Sequence, residues 1–204
     1  MEDTTKEILE EINNETDEMN IYEMEIEGIL NLNKFKKLVI LDCSSNSIKK
    51  LSYLGKELEE LNCSSNLISK LDNLPPKLKI LDCSKNKIKS LDNLPNSIQT
   101  INCGWNKISN LNNLPNSVIT LDCGWNKIIN LDYLPESIIN LSCENNLLTS
   151  LDNLPISIVS LYCSHNKITC LDNLSSNINI LVYDFDKIKF NNKILYNKFG
   201  YKYE

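Results

Sequence analysis

Apolar and polar positions along the chain repeat with a period of 20 residues. Leu41, Leu61, Leu81, Ile101, Leu121, Leu141, Leu161 and Leu181 open successive units, and a cysteine follows two places later from Cys43 to Cys163. Further apolar columns run from Ile48 to Ile168, Leu51 to Leu171, Leu54 to Leu174 and Leu58 to Ile178. Around each leading Leu the polarity alternates with period 2, so Leu61 and Cys63 face one side of a strand while Glu60, Asn62 and Ser64 face the other. Each unit therefore predicts one short strand, and units of equal length stack their strands into a parallel sheet at ~4.8 Å spacing. The rest of each unit is short and carries Pro75, Pro95, Pro115, Pro135 and Pro155. Proline and limited length predict tight turns and extended segments there, with no room for a long helix.

Rephased, the unit reads L-x-x-L-x-C-x-x-N-x-I, as in Leu58, Leu61, Cys63, Asn66 and Ile68. This resembles the leucine-rich repeat with cysteine in the third apolar slot, and seven full copies span residues 41–180. The second half, L-D-N-L-P, resembles the 20-residue class of secreted bacterial effectors such as those of Yersinia and Shigella. The asparagine-rich, cysteine-containing style is similar to leucine-rich-repeat proteins of giant DNA viruses of the mimivirus type. The expected fold class is an α/β repeat, mostly β. It is a curved solenoid with a parallel sheet on its concave face, no long helices on its convex face, and a cap at each end.

The asparagine column, Asn46, Asn66, Asn86, Asn106, Asn126, Asn146 and Asn166, predicts a structural ladder, because an amide both donates and accepts where a turn leaves the backbone unpaired. Asp186 takes this slot where the repeats end. A solenoid exposes its core at both ends unless capped. Residues 1–37 are read as an acidic N-terminal cap, with a helix over Thr5–Asn13 presenting Ile8, Leu9 and Ile12. In the same cap a short strand is expected over Tyr22–Gly28, with Met24 and Ile26 on one face. The repeats occupy 38–190, and 191–204 form a C-terminal cap built from Ile194, Leu195, Tyr196, Phe199, Tyr201 and Tyr203.

Charge changes the picture only locally. The chain has a net charge of −6, yet residues 1–27 hold 11 acids against one lysine, and the remainder is mildly basic. There is no arginine, so the guanidinium fork that reads phosphate and guanine is missing, and specific nucleic-acid binding is not expected. Neither a membrane-spanning run nor a signal-peptide pattern is present, so a cytoplasmic location is expected, the host cytoplasm for a viral protein.

Seven of the eight cysteines form an inward column and lack the paired spacing of a zinc site, so they read as reduced core thiols; Cys170 lies outside that column. Parallel in-register Cβ atoms also stand wider apart than a disulfide prefers. His165 has no nucleophile fixed beside it by any motif, and no phosphate loop or nucleophile elbow occurs. The effector relatives often add a ubiquitin-ligase domain with a catalytic cysteine. The tail beyond residue 190 contains none, so that activity is not carried over. An enzyme is not expected, nor a cofactor or a metal. Asp72, Asp92, Asp132, Asp152 and Asp172 cap the back turns in the simplest reading, with calcium binding as the alternative.

Function is expected on the outward sheet face and its loop edge. Trp105 and Trp125 are the only tryptophans, one unit apart, each after a glycine. They read as a partner-binding hot spot, flanked by a polar rim of Asp82, Asn102, Asp122 and Tyr162 with His165 in the same loop column. The alternative is a duplicated unit whose rings merely cover the sheet rim. The expected function is a non-catalytic, monomeric protein-binding module, as a viral or effector protein acting on a host partner. Two others stand beside it: a ubiquitin-ligase adaptor with a recruitment helix in residues 1–37, and a virion component acting by self-association.

Overall fold

In the computed structural model, residues 8–188, 191 and 193–200 are described. Strands β1 (Glu18–Asn20), β2 (Glu27–Asn31), β3 (Ile40–Asp42), β4 (Ser47–Ser52) and β5 (Glu60–Asn62) open the chain. β6 (Ile80–Asp82), β7 (Thr100–Asn102), β8 (Thr120–Asp122), β9 (Asn140–Ser142), β10 (Ser160–Tyr162) and β11 (Ile180–Val182) follow at intervals of 20 residues. All but β2 and β4 form one nine-stranded parallel sheet in the order β1-β3-β5-β6-β7-β8-β9-β10-β11, while β2 and β4 pair separately. Register is strict, with Ile101 opposite Leu121 and Leu121 opposite Leu141. Every repeat column therefore becomes a straight row across the sheet. The molecule is a mostly-β solenoid with a short helix near each end: residues 8–11 (α1) and Lys193–Phe199 (α2).

One core runs the length of the stack. Leu41, Leu61, Leu81, Ile101, Leu121, Leu141 and Leu161 lie inside it with the cysteines two places on, and the isoleucine and leucine columns close it from the back. No long helix covers that back. Each Pro-x-x-apolar step is a turn, the Leu78 amide donating to the Pro75 carbonyl (3.2 Å) and Ile98 to Pro95 (3.2 Å). A serine column stitches consecutive turns there: the Ser97, Ser117, Ser137 and Ser157 hydroxyls donate to the carbonyls of Leu78, Ile98, Val118 and Ile138 at 2.6–2.7 Å.

The asparagine ladder is a set of bonds between turns. Asn66 Nδ2 donates to the Cys43 carbonyl of the preceding turn (2.9 Å) and the Cys63 carbonyl of its own (3.2 Å), while its Oδ1 accepts the Ile48 amide at 2.9 Å. Asn86, Asn106, Asn126, Asn146 and Asn166 repeat this pattern. At the first turn, Asn46 reaches the Ile21 carbonyl and the Ile26 amide. Among the described residues no buried side-chain nitrogen or oxygen lacks a hydrogen bond.

The N-terminal segment departs from the reading as an irregular cap. From Glu18 it forms a further solenoid turn, Met19 standing opposite Leu41 in the main sheet. Met19, Ile21 and Ile26 are buried where later turns bury Leu, Cys and Ile. This turn is two residues longer than the others, which hides it from a 20-residue period. The strand expected over Tyr22–Gly28 is met only at its end, where Glu27 and Gly28 open β2; ahead of it the chain bends, Glu23 and Glu25 taking φ of 56° and 55°, with Met24 exposed and Ile26 buried. Of the helix expected over Thr5–Asn13, residues 8–11 are helical, with Leu9 buried and its carbonyl accepting from Lys34 Nζ; Thr5 to Glu7 lie outside the described residues. At the other end, α2 buries Leu195 and leaves Ile194 and Tyr196 exposed, and Tyr183 Oη donates to the Phe199 carbonyl at 2.6 Å. Tyr201 and Tyr203 lie outside the described residues.

Candidate functional site

After β3 and after each of β5 to β10 the chain turns sharply through a residue of positive φ. Ser45, Ser65, Lys85, Trp105, Trp125, Asn145 and His165 all lie between 51° and 57°. None of them is glycine, and this left-handed conformation is disfavoured for ordinary L-residues. It lets each amide reach the next turn: Trp105 N–H donates to the Gly124 carbonyl (3.0 Å) and Trp125 N–H to Glu144 (2.9 Å). The side chain is swung out along the edge of the sheet face. Because the turns are in register, the two indoles stack with ring centroids 3.9 Å apart and planes 9° from parallel. They remain 50% and 43% exposed. The preceding glycines are not needed to make room. A Cβ on Gly104 would sit 3.4 Å from its nearest neighbours, and Ser44, Ser64 and Ser84 fill the same slot elsewhere. At Gly124 the closest contact would be Glu144 Cγ at 3.2 Å, the movable part of a side chain.

The polar rim expected beside the tryptophans is already engaged. Asp82 Oδ1 accepts the Ser84 amide (2.9 Å) and hydroxyl (2.7 Å), and Oδ2 accepts Asn102 Nδ2 at 3.0 Å. Asn102 Oδ1 accepts the Gly104 amide (3.2 Å), and Asp122 Oδ1 accepts the Gly124 amide (2.9 Å). These side chains close their own turns, a use that alternation along a strand does not reveal. Tyr162 is exposed on β10, but Ser142 lies between it and Asp122 in the row. His165 is likewise separated from the tryptophans by the turn of Asn145. Its amide donates to Asp184 Oδ2 (2.8 Å), and its Nδ1 lies 3.8 Å from Asp184 Oδ1. Burial raises the Asp184 pKa, but the His165 amide and Lys187 outweigh it and hold the carboxyl below its ordinary value. The structure therefore brings Trp105 and Trp125 together, sets Asp82, Asn102 and Asp122 beside them in turn-closing bonds, and leaves Tyr162 and His165 apart.

The cysteine column offers no reactive group. Burial, then Asp42, pushes the Cys43 thiol up to about 12, and burial, then Asp184, does the same for Cys163. Cys63, Cys83, Cys103, Cys123 and Cys143 are raised further, mainly by burial. Only Cys170 is exposed. On the back, Asp92, Asp132 and Asp152 accept from Asn113, Asn153 and Asn173 of the following turn at 2.6–3.0 Å. Among the described residues no group of three His, Cys, Asp or Glu is placed to hold a metal, and no helix is long and apolar enough to cross a membrane.

Solved structures share the architecture. YopM from Yersinia enterocolitica WA-314 is 30% identical, with a TM-score of 0.62 over 78% of this chain and 40% of its own. The leucine-rich-repeat domain of a Shigella effector is 27% identical, with a TM-score of 0.67 over 82% of this chain and 76% of that one. YopM from Yersinia pestis, described as a leucine-rich effector protein, is 24% identical with a TM-score of 0.63, covering 76% of this chain and 56% of its own. This chain thus spans less than half of the first of these proteins. No protein-family model and no curated protein matches the sequence.

Proposed function

From the premise that this chain is a leucine-rich-repeat protein with 20-residue units, like the Yersinia and Shigella effectors, we propose that it is a non-catalytic module binding a protein through its outward sheet face and the adjoining loop edge. The observation that carries this reading is the exposed Trp105–Trp125 stack. Two large aromatic surfaces held rigidly at an edge, with little left to order on binding, are the chemistry of interface hot spots. The effector relatives support a host protein as the partner and the host cytoplasm as the place of action. The ligase-adaptor alternative needs a free recruitment helix in residues 1–37. The described part of that segment is instead tied into the stack through Met19, Ile21, Leu9 and Lys34.

The test is a binding comparison with a partner captured by the full chain. Trp105→Ala with Trp125→Ala is expected to weaken it by at least ~2 kcal/mol, roughly thirtyfold, while thermal stability changes little. A stable double variant with full affinity refutes this placement.

A further inference from the structure

The sheet face carries charge of one sign. The protein has 21 basic residues, all lysine, yet none occupies the three outward columns that begin at Ile40, Asp42 and Ser44. Those columns hold six acids: Asp42, Glu60, Asp82, Asp122, Glu144 and, at the last turn, Asp184. Asp184 pairs with Lys187, as Glu57 does with Lys77 and Glu59 with Lys79, but among the described residues the other five carboxylates have no ion-pair partner.

The turns do not require these charges. Asp42, Asp82 and Asp122 each accept the amide two residues on, and Asn62 and Asn102 make the same bond from the same column. An amide oxygen closes the turn as well as a carboxylate; at Asp42 and Asp82 the second carboxylate oxygen accepts from Asn62 and Asn102 of the next turn, a neutral donor that leaves the charge unbalanced. Acid and amide alternate across the sheet, Asp42 opposite Asn62 and Asp82 opposite Asn102. Successive carboxylates are thus about two strand spacings, ~10 Å, apart rather than side by side. Up to the turn of Glu144 the charges form, among the described residues, a row without ion-pair partners, and the tryptophan stack borders that part of it.

We propose that this face takes a cationic protein segment, rich in lysine or arginine, laid across the strands with a cationic side chain against the Trp105–Trp125 stack. Carboxylates spaced along the row would meet successive basic side chains, and an indole face is the strongest aromatic partner for a cation. This names the chemistry of the partner and rests on the protein-binding reading above.

The test titrates the 204-residue chain with a short synthetic Arg/Lys–Gly peptide and its Glu–Gly counterpart, following tryptophan fluorescence at low salt. The basic peptide binds and the acidic one does not. Glu60→Gln, Asp122→Asn and Glu144→Gln combined weaken it at least ~tenfold, and added salt weakens the wild type in parallel. The same number of charges removed from the back, by Asp72→Asn, Asp132→Asn and Glu136→Gln, costs less than ~threefold. Equal losses in both triple variants would reduce the effect to the net charge of the chain and overturn the proposal. So would failure of the basic peptide to bind, or preference for the acidic one. A captured partner that is lost with the tryptophan pair but kept by the sheet-face triple variant would overturn this proposal and leave the protein-binding reading standing.

Discussion

Raising the pH should unfold this protein through its cysteine column. Seven thiols are buried in one row, and their ionised forms are excluded from the core; Cys43 and Cys163 rise to about 12 from an ordinary 9.0, the others further. The sign follows directly. The folded chain keeps protons that the unfolded chain releases, so this contribution is intact below about pH 9 and is lost as the pH climbs toward the folded values. From about pH 7 to about pH 9.5 each thiol costs just under about 1 kcal/mol, and seven together about 6 kcal/mol, a large part of a typical domain's stability. Urea unfolding in a phosphine reductant at a series of pH values reads this loss directly. Cys63→Ala, Cys103→Ala and Cys143→Ala combined lower stability at neutral pH through the cavities they leave, yet flatten the alkaline decline to about 3 kcal/mol. The difference between the two slopes isolates the thiols from lysine and tyrosine titration. A wild-type decline below about 1 kcal/mol, or equal slopes in the two proteins, would refute a protonated, buried column.

Two further outcomes follow from the turns. Asn66→Ala removes the acceptor for the Ile48 amide and the donor to two carbonyls in a buried place, and should cost ~2–3 kcal/mol by urea denaturation; a loss under ~0.5 kcal/mol would mean that water replaces the amide. Lys85→Asn relieves a left-handed residue of φ 51° by substituting the type already tolerated at Asn145, and should raise stability by ~0.5–1 kcal/mol; an unchanged or lower midpoint would contradict local strain at this column.

The strands and core columns were legible because burial restricts residue type, and a 20-residue repeat states that restriction in turn after turn. Even the adjacency of Trp105 and Trp125 was readable, since equal units in a parallel stack place residues 20 apart side by side. The first turn was not, because its spacing from Met19 to Leu41 is longer and methionine and isoleucine replace the consensus. Nor was the backbone of the loop edge. Its conformation is set by the bonds between turns, and only Asn145 and His165 are of types enriched in it. The engagement of Asp82 and Asn102 was hidden for a related reason. A polar residue on an outward face reads the same whether it meets water, its own turn or the next strand.

A stacked solenoid separates what the fold dictates from what it leaves free. In the column of Asp42, most turns place an oxygen that accepts an amide two residues on, a bond that both aspartate and asparagine make. Tyr162 supplies no such oxygen, so even that demand is not absolute. In the column of Ser45 the backbone must be left-handed, a demand that asparagine or glycine would meet with least strain. Tryptophan at two adjacent turns answers neither this backbone demand nor the core, from which both rings are excluded. Their mutual stacking recovers part of their apolar area, yet both rings stay about half exposed beside the acidic row. Fold constraints therefore account for the leucine, cysteine and asparagine columns in full. They account least for the tryptophan pair and the surplus carboxylates, and residues retained without a structural demand are where binding chemistry belongs.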